Sequence, residues 1–322
     1  MAYIIVTGGA GFIGSNVVKE LNSLGAEKII IVDNLGSTEK WKNLVDLSFE
    51  DYIHKDDFIE KIKKGLFNHS VSSIIHLGAR SSTTEKDVDF LMKNNYEYTK
   101  ELAKWATEKK VRFIYASSAA TYGDGTAGFS DEHNLLYKLR PLNAYGFSKH
   151  IFDLWALKNG VLDKVVGLKY FNVFGPREWH KGDMRSMVLK AYEQIKREGK
   201  IKLFKSYNPS YKDGEQLRDF IYVKDAVSMT LFFLERPDIN GIFNVGTGIP
   251  RSWNDLAQAV FDAVGLKPQV EYIDMPEELK GKYQYFTKAD ISKIRAAGYS
   301  KPTLTLEEAV KDYVLNYLEQ SF

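Results

Sequence analysis

Apolar and polar positions along the chain follow two alternating rhythms. Ile4-Ile5-Val6, within the run Tyr3–Val6, is a continuous apolar stretch of the kind that forms a parallel strand buried on both faces. Gly8–Gly14 follows. Val17, Val18 and Leu21 then recur at helical spacing up to Gly25, a residue suited to stopping a helix. Ile29-Ile30-Ile31-Val32 repeats the buried-strand pattern and ends at Asp33, so the first 34 residues read as one βαβ unit.

The alternation continues downstream. Ser73–His76 reads as a strand carrying Ile74 and Ile75. Tyr96–Lys109 reads as a helix with Leu102, Trp105 and Ala106 on one face. Val111–Ala116 is a further strand, Ala144–Leu157 a helix and Val165–Phe171 again a strand. Strands alternating with helices predict an α/β protein built on a Rossmann doubly wound parallel sheet, over residues 1–171. Beyond residue 172 the pattern loosens, and Pro176, Pro209, Pro237, Pro250, Pro268 and Pro276 all fall there. The elements become shorter: helices at Met187–Arg197, Ala226–Leu234 and Trp253–Val264, and strands at Lys200–Phe204 and Phe220–Val223. Residues 172–322 are therefore expected to form mainly a smaller α/β substrate-binding lobe.

Composition narrows the chemistry by exclusion. The 44 basic side chains are nearly matched by 42 acidic ones, for a net charge of +2 with no basic stripe, so nucleic acid is not an expected partner. The chain has no cysteine, which removes disulfides, thiolate catalysis and cysteine-ligated metals. The six histidines show no i, i+4 pair, so no metal site is expected. No apolar run approaches the roughly 20 residues that span a bilayer, and no signal-like segment precedes Tyr3. The expectation is a cytoplasmic protein.

Gly8, Gly11 and Gly14 stand between a strand and a helix. A tight turn there needs residues without a Cβ, and the helix N-terminus then offers backbone N–H groups to a pyrophosphate. Asp33, 19 residues past Gly14, is placed to take ribose hydroxyls, which favours NAD. Lys40, seven residues further, is equally placed to meet a 2′-phosphate, so the residues themselves leave NAD and NADP both open. His76-Leu77-Gly78-Ala79 closes another strand with small residues; His76 reads as a core histidine. Tyr145 and Lys149 share one face of a helix. An ammonium near a phenol stabilises phenolate and lowers its pKa from about 10, which fits the phenol for general acid–base work on an alcohol. Ser118, at the end of the preceding strand, is placed to hold the reacting oxygen.

With these residues in place, the chain resembles the extended short-chain dehydrogenases/reductases. The likeness rests on the glycine turn, Ser118, Tyr145, Lys149, Arg218–Val223 (RDFIYV) and Asn244–Gly248 (NVGTG). Narrower stretches resemble the ADP-L-glycero-D-manno-heptose 6-epimerase family. They are Asn43–Leu47, Ser81–Glu85 (SSTTE), Tyr115–Gly123 (YASSAATYG), Phe171–Arg177 (FNVFGPR), His180-Lys181-Gly182 and Leu279–Gln284. The resemblance implies that segments near 219–248 and 288–308 return to the first domain, and that the subunits form a homo-oligomer, a pentamer.

It also implies one tightly held NADP per subunit, contacted by Phe12, Ile13, Asp33, Asn34, Lys40, Lys55, Leu77, Gly78, Ala79, Arg80, Ser81, Asn94, Lys149, Val173 and Lys181. The nucleotide-sugar substrate falls to Asn172, Asp183, Lys190, Phe204, Lys205, Ser206, Tyr207, Arg218 and Tyr283. Asp183 stands where the family has serine and Lys190 where it has histidine, and the stretch Lys205–Gln216 is longer than usual.

The implied reaction inverts C6 of the heptose in ADP-D-glycero-D-manno-heptose, for lipopolysaccharide inner-core precursors. That carbon has no adjacent carbonyl and so no acidic proton, which leaves transient oxidation as the route. Tyr145 and Lys181 then serve as two bases, one for each epimer. Two other readings stand beside this one: another nucleotide-sugar epimerase such as a UDP-hexose 4-epimerase, and a non-catalytic dinucleotide sensor. Dehydration is disfavoured, because no Asp-Glu pair follows Ser118. A sensor is expected to lose Tyr145 or Lys149, and both are present.

Overall fold

The apolar runs pair into strands flanked by helices. A computed structural model describes residues 2–67, 69–280 and 283–321. In chain order the strands are β1 (Tyr3–Thr7), β2 (Ile29–Asp33), β3 (Asp51–His54), β4 (Val71–His76), β5 (Arg112–Ser118), β6 (Val166–Tyr170), β7 (Asn172–Phe174), β8 (Ile201–Phe204), β9 (Leu217–Tyr222), β10 (Gly241–Val245), β11 (Pro250–Ser252) and β12 (Val270–Ile273). Seven of them form one sheet in the order β10-β6-β5-β4-β1-β2-β3, with every neighbouring pair parallel. This is the doubly wound α/β fold that the periodicity predicts.

Alternate residues of each inner strand bury into opposite faces, which is why these strands show no apolar–polar alternation. Ile5, Ile30 and Ile74 pack with Leu102, Ala106 and Phe152 on one side. Val6, Ile31 and Ile75 pack with Val17, Val18, Leu21 and Val227 on the other. The second core runs on without a break into Val188, Tyr192, Val260 and Val310, so the later helices extend the same apolar interior.

From β1 the chain winds outward through β2 and β3, then crosses back to β4 on the other side of β1. The crevice beyond the C-terminal ends of β1 and β4 is therefore the topological switch point, where ligands of such sheets bind. The two strand ends are stitched together there: Leu77 N donates to Thr7 O at 3.0 Å, an ordinary hydrogen-bond length.

After β6 the chain leaves the main sheet and returns once, as β10 beside β6. β11, β9 and β7 form a small sheet, and β8 pairs with β12. The strand expected at Phe220–Val223 is β9, which ends at Tyr222; Val223 instead opens the helix Val223–Glu235. Gly281 and Lys282 of the Leu279–Gln284 stretch lie outside the described residues. Among the described residues no helix is long and apolar enough to cross a membrane.

Candidate active site

A cavity of about 1150 Å³ runs along the C-terminal ends of β1, β2, β4 and β5 and on toward β8. Its floor is the glycine turn. Gly8 adopts φ +70°, and a Cβ on it would lie 2.6 Å from Gly78 N. A Cβ on Gly14 would lie 2.1 Å from Gly8 O. Turn, helix and the strand end at Gly78 thus approach more closely than any side chain permits. Gly11 begins the helix Phe12–Ser23 without a side-chain cap, so its first-turn N–H groups suit an anionic oxygen. This cradle fits the pyrophosphate of a dinucleotide.

At the end of β2, the Asp33 carboxylate is fully engaged. Its Oδ2 accepts from Ala10 N at 2.9 Å, and its Oδ1 accepts from Asn34 N at 2.7 Å and from Lys40 Nζ at 2.5 Å. The two residues that pull the cofactor choice in opposite directions are thus an ion pair. Lys55 follows His54, the register partner of Asp33, and also lines the cavity. Every other residue assigned to the cofactor faces the same space: Phe12, Ile13, Asn34, Leu77, Gly78, Ala79, Arg80, Ser81, Asn94, Lys149, Val173 and Lys181. His76 does not serve it. Its ring nitrogens meet Thr7 Oγ1 at 2.6 Å and Thr99 Oγ1 at 2.9 Å, and burial holds its pKa at about 3, so it is a neutral core residue.

Tyr145 and Lys149 lie in the first turns of the helix Ala144–Lys158, which Asn143 caps by accepting from Gly146 N at 2.8 Å. Ser118 ends β5 opposite them. Burial raises the Tyr145 phenol above its usual range, and the Ser118 hydroxyl, donating to the phenol oxygen, pulls the other way. The sequence reading expected Lys149 to lower the phenol. In the structure the Lys149 ammonium donates to Ala116 O at 2.8 Å, and burial pulls its own pKa down to about 8.

Lys181 reaches the cavity from a different element, the short 3-10 segment Trp179–Met184. Its ammonium lies 5.2 Å from the Phe12 ring centroid. Burial lowers its pKa; Glu178 opposes that and Lys190 adds to it. Glu178 is fully buried and ties the segment's two ends together, accepting from Gly175 N at 3.3 Å and from Ser186 Oγ at 2.6 Å.

The expected substrate residues divide. Asn172, Asp183, Lys190, Phe204 and Tyr283 line the cavity, whereas Lys205, Ser206, Tyr207 and Arg218 do not. Lys190 Nζ donates to the backbone carbonyl of Asp183 at 2.6 Å, so these two positions are tied to each other. Lys205 and Tyr207 both bond Asp274, and Ser206 bonds within its own loop. Arg218 is buried behind the wall. Its guanidinium stacks 5.0 Å from the Tyr283 ring and 5.6 Å from the Trp253 ring, and it donates to the Leu217 and Gln284 carbonyls.

Two features escaped the sequence reading. Trp253 lines the cavity and donates through Nε1 to Tyr283 OH at 2.8 Å. The stretch Asn43–Leu47 is a dock: Asn43 Nδ2 reaches Ala10 O and Arg177 O, and Asp46 grips the Arg177 guanidinium. It fixes the segment leading to Lys181 against the glycine turn.

The family model described as the NAD dependent epimerase/dehydratase family matches residues 4–246. A protein of Nitratidesulfovibrio vulgaris named ADP-L-glycero-D-manno-heptose-6-epimerase is 54% identical over 314 residues, covering 98% of this chain and 97% of that protein. The crystal structure of the Helicobacter pylori ADP-L-glycero-D-manno-heptose-6-epimerase superposes with a TM-score of 0.82 at 30% identity, over 98% of this chain and 96% of that one. A Thermotoga maritima UDP-glucose 4-epimerase superposes with a TM-score of 0.81 at 27% identity, over 99% of both chains.

Proposed function

The chain belongs to the ADP-L-glycero-D-manno-heptose-6-epimerase family of NAD dependent epimerases and dehydratases, and from that premise we propose that it inverts C6 of the heptose in ADP-D-glycero-D-manno-heptose. The product is ADP-L-glycero-D-manno-heptose, a precursor for the lipopolysaccharide inner core. The supporting observation is that Ser118, Tyr145, Lys149 and Lys181 open into one cavity with the glycine cradle. A nicotinamide dinucleotide held in that cradle would supply hydride removal from C6 and hydride return to it.

The chain's residues handle the proton and the orientation. Ser118 holds the reacting oxygen. Tyr145 takes or gives the hydroxyl proton of one epimer, and Lys181, on a separate element, does so for the other. Burial already lowers Lys181, which reduces the cost of presenting a neutral amine near pH 7. Lys149, one turn along the helix from Tyr145, supplies the positive charge we assign to favouring phenolate once its ammonium turns from Ala116 O toward the phenol.

The cofactor we infer is NADP. A bare carboxylate at the end of β2 would repel a 2′-phosphate, but here Lys40 neutralises Asp33, and Lys55, paired with Asp56, also lines the cavity. Denaturing the purified protein is expected to release NADP; release of NAD overturns the cofactor assignment. The native holoenzyme, incubated with ADP-D-glycero-D-manno-heptose, is expected to form the L epimer and to leave UDP-glucose unchanged. The opposite pattern favours a UDP-hexose 4-epimerase.

Lys181→Met is expected to slow inversion by about 100-fold or more, the usual reach of a general base, with dinucleotide retained. Inversion at near wild-type rate in that variant removes the second base from the scheme.

A further inference from the structure

Asp153 lies one turn beyond Lys149 on the same helix and has no exposed surface. Its Oδ1 accepts from Tyr115 OH at 2.9 Å. Its Oδ2 accepts from Ser117 Oγ at 2.7 Å and from Lys169 Nζ at 2.7 Å. Lys169, on β6, is equally buried. It also donates to Thr121 Oγ1 at 2.6 Å, and its ammonium stands 5.2 Å from the Tyr122 ring centroid. The Thr121 hydroxyl in turn donates to Ser118 O at 2.8 Å.

These bonds have a common target. Ala116, Ser117 and Ser118 are successive residues at the end of β5, and each is tied to the helix that carries Tyr145. Ala116 is tied through Lys149, Ser117 through Asp153, and Ser118 through Thr121 and Lys169 to Asp153. Stability alone does not account for such a cluster, because desolvating two ions costs several kcal/mol each and an apolar pair of the same volume packs as well.

We propose that Asp153 is a positioning residue for the reaction: its carboxylate, one helical turn from Lys149, registers the Tyr145/Lys149 helix against Ser118 and sets the surroundings of the Lys149 ammonium. The electrostatics agree with the geometry. Burial pulls Lys149 down to about 8, and Asp153 is the group that opposes it. From β4, His76 also faces Lys149 but is held neutral by burial. Around Asp153 stand Tyr115 of β5, Lys169 of β6 and Tyr122, with His133 and His150 feeling its charge from further away. The inference uses the proposed reaction only in giving Lys149 a role beside Tyr145.

Its primary test needs no substrate. In holoenzyme labelled with 13C,15N-lysine, the Lys149 Cε and Nζ resonances, assigned by their loss in Lys149→Met, are titrated against pH. The double variant Asp153→Asn/Lys169→Met leaves no unpaired buried charge. Its Lys149 midpoint is expected to fall by about one pH unit, the scale of losing a nearby opposite charge. Lys169→Met alone leaves the carboxylate without its competing cation, and the midpoint is expected to rise. Asp153→Glu keeps the charge but lengthens the arm, so it is expected to preserve the midpoint and lower kcat.

A folded double variant, or a folded Lys169→Met, whose midpoint matches the wild type overturns the proposal. The double variant decides alone if Lys169→Met does not fold, and Asp153→Glu decides if neither does: a midpoint well below the wild type there overturns it. Shifted midpoints in a protein that fails to invert ADP-heptose would instead sink the function assigned above and leave this coupling standing.

Discussion

Tyr145→Phe is expected to lower kcat for C6 inversion by about 100- to 10,000-fold, the range general acid–base catalysis spans, with KM and bound dinucleotide little changed. The substitution removes one oxygen. The ring keeps its place on a helix whose cap, Asn143, is untouched, and the lost bond to Ser118 costs about 1 kcal/mol of stability. The melting temperature is therefore expected to stay close to the wild type. That separation matters, because burial raises the phenol in the protein as it stands. The site must bring it down when it works, and the contact already in place for that is the Ser118 hydroxyl. If Tyr145→Phe retained activity within about tenfold, a factor too small for a general base, Lys181 or a water would have to carry the proton for both epimers. A non-catalytic protein, by contrast, would show no change in any measured property.

The parts of the fold that were legible in the sequence are those where one residue type must satisfy a single demand. β1, β2 and β4 are buried on both faces and read as unbroken apolar runs. The glycine turn reads because its backbone approaches leave no room for a Cβ. β3 did not read as a strand, because as an edge strand it buries only Ile53 fully. β12 did not either, since Val270–Ile273 is only partly buried or exposed and pairs with a single neighbour.

The site divides in the same way. Tyr145, Lys149 and Ser118 announce themselves by spacing. Asp153 and Lys169 are 16 residues apart on a helix and a strand, and nothing local marks them as partners. Arg218 shows the reverse: its motif is legible, but the substrate contact the resemblance implies meets a guanidinium stacked behind Tyr283 and Trp253. The stretch Asn43–Leu47 was legible only as a family signature, and its physical role, docking Arg177, emerges from contacts more than 130 residues apart in the chain.

A large structural penalty is expected at Gly14. An alanine Cβ there would meet Gly8 O at 2.1 Å and Gly8 C at 2.8 Å, and both are backbone atoms of a turn already held at φ +70°. A flexible side chain could step aside, but this turn is pinned by Gly8 N donating to Val32 O at 2.7 Å and by the close approach of Gly78. Relief must come from moving the helix Phe12–Ser23 off the sheet, at a cost at or above the 1–3 kcal/mol typical of overpacking, so about 3 kcal/mol is expected. The same displacement withdraws the first-turn N–H groups from the pyrophosphate. Gly14→Ala is therefore expected to purify without dinucleotide as well as to melt earlier.

Gly265→Ala supplies the comparison. Gly265, unlike Gly14, has positive φ, +71°, at the end of the helix Trp253–Val264, and a Cβ there meets nothing within 4 Å. Its cost is the left-handed conformation alone, about 1 kcal/mol, and its dinucleotide content should equal the wild type's. Denaturant melts and the absorbance of released dinucleotide read both effects. Full dinucleotide occupancy in Gly14→Ala would mean that the helix can shift without losing the cofactor, and that the close packing of turn and helix is not what holds it.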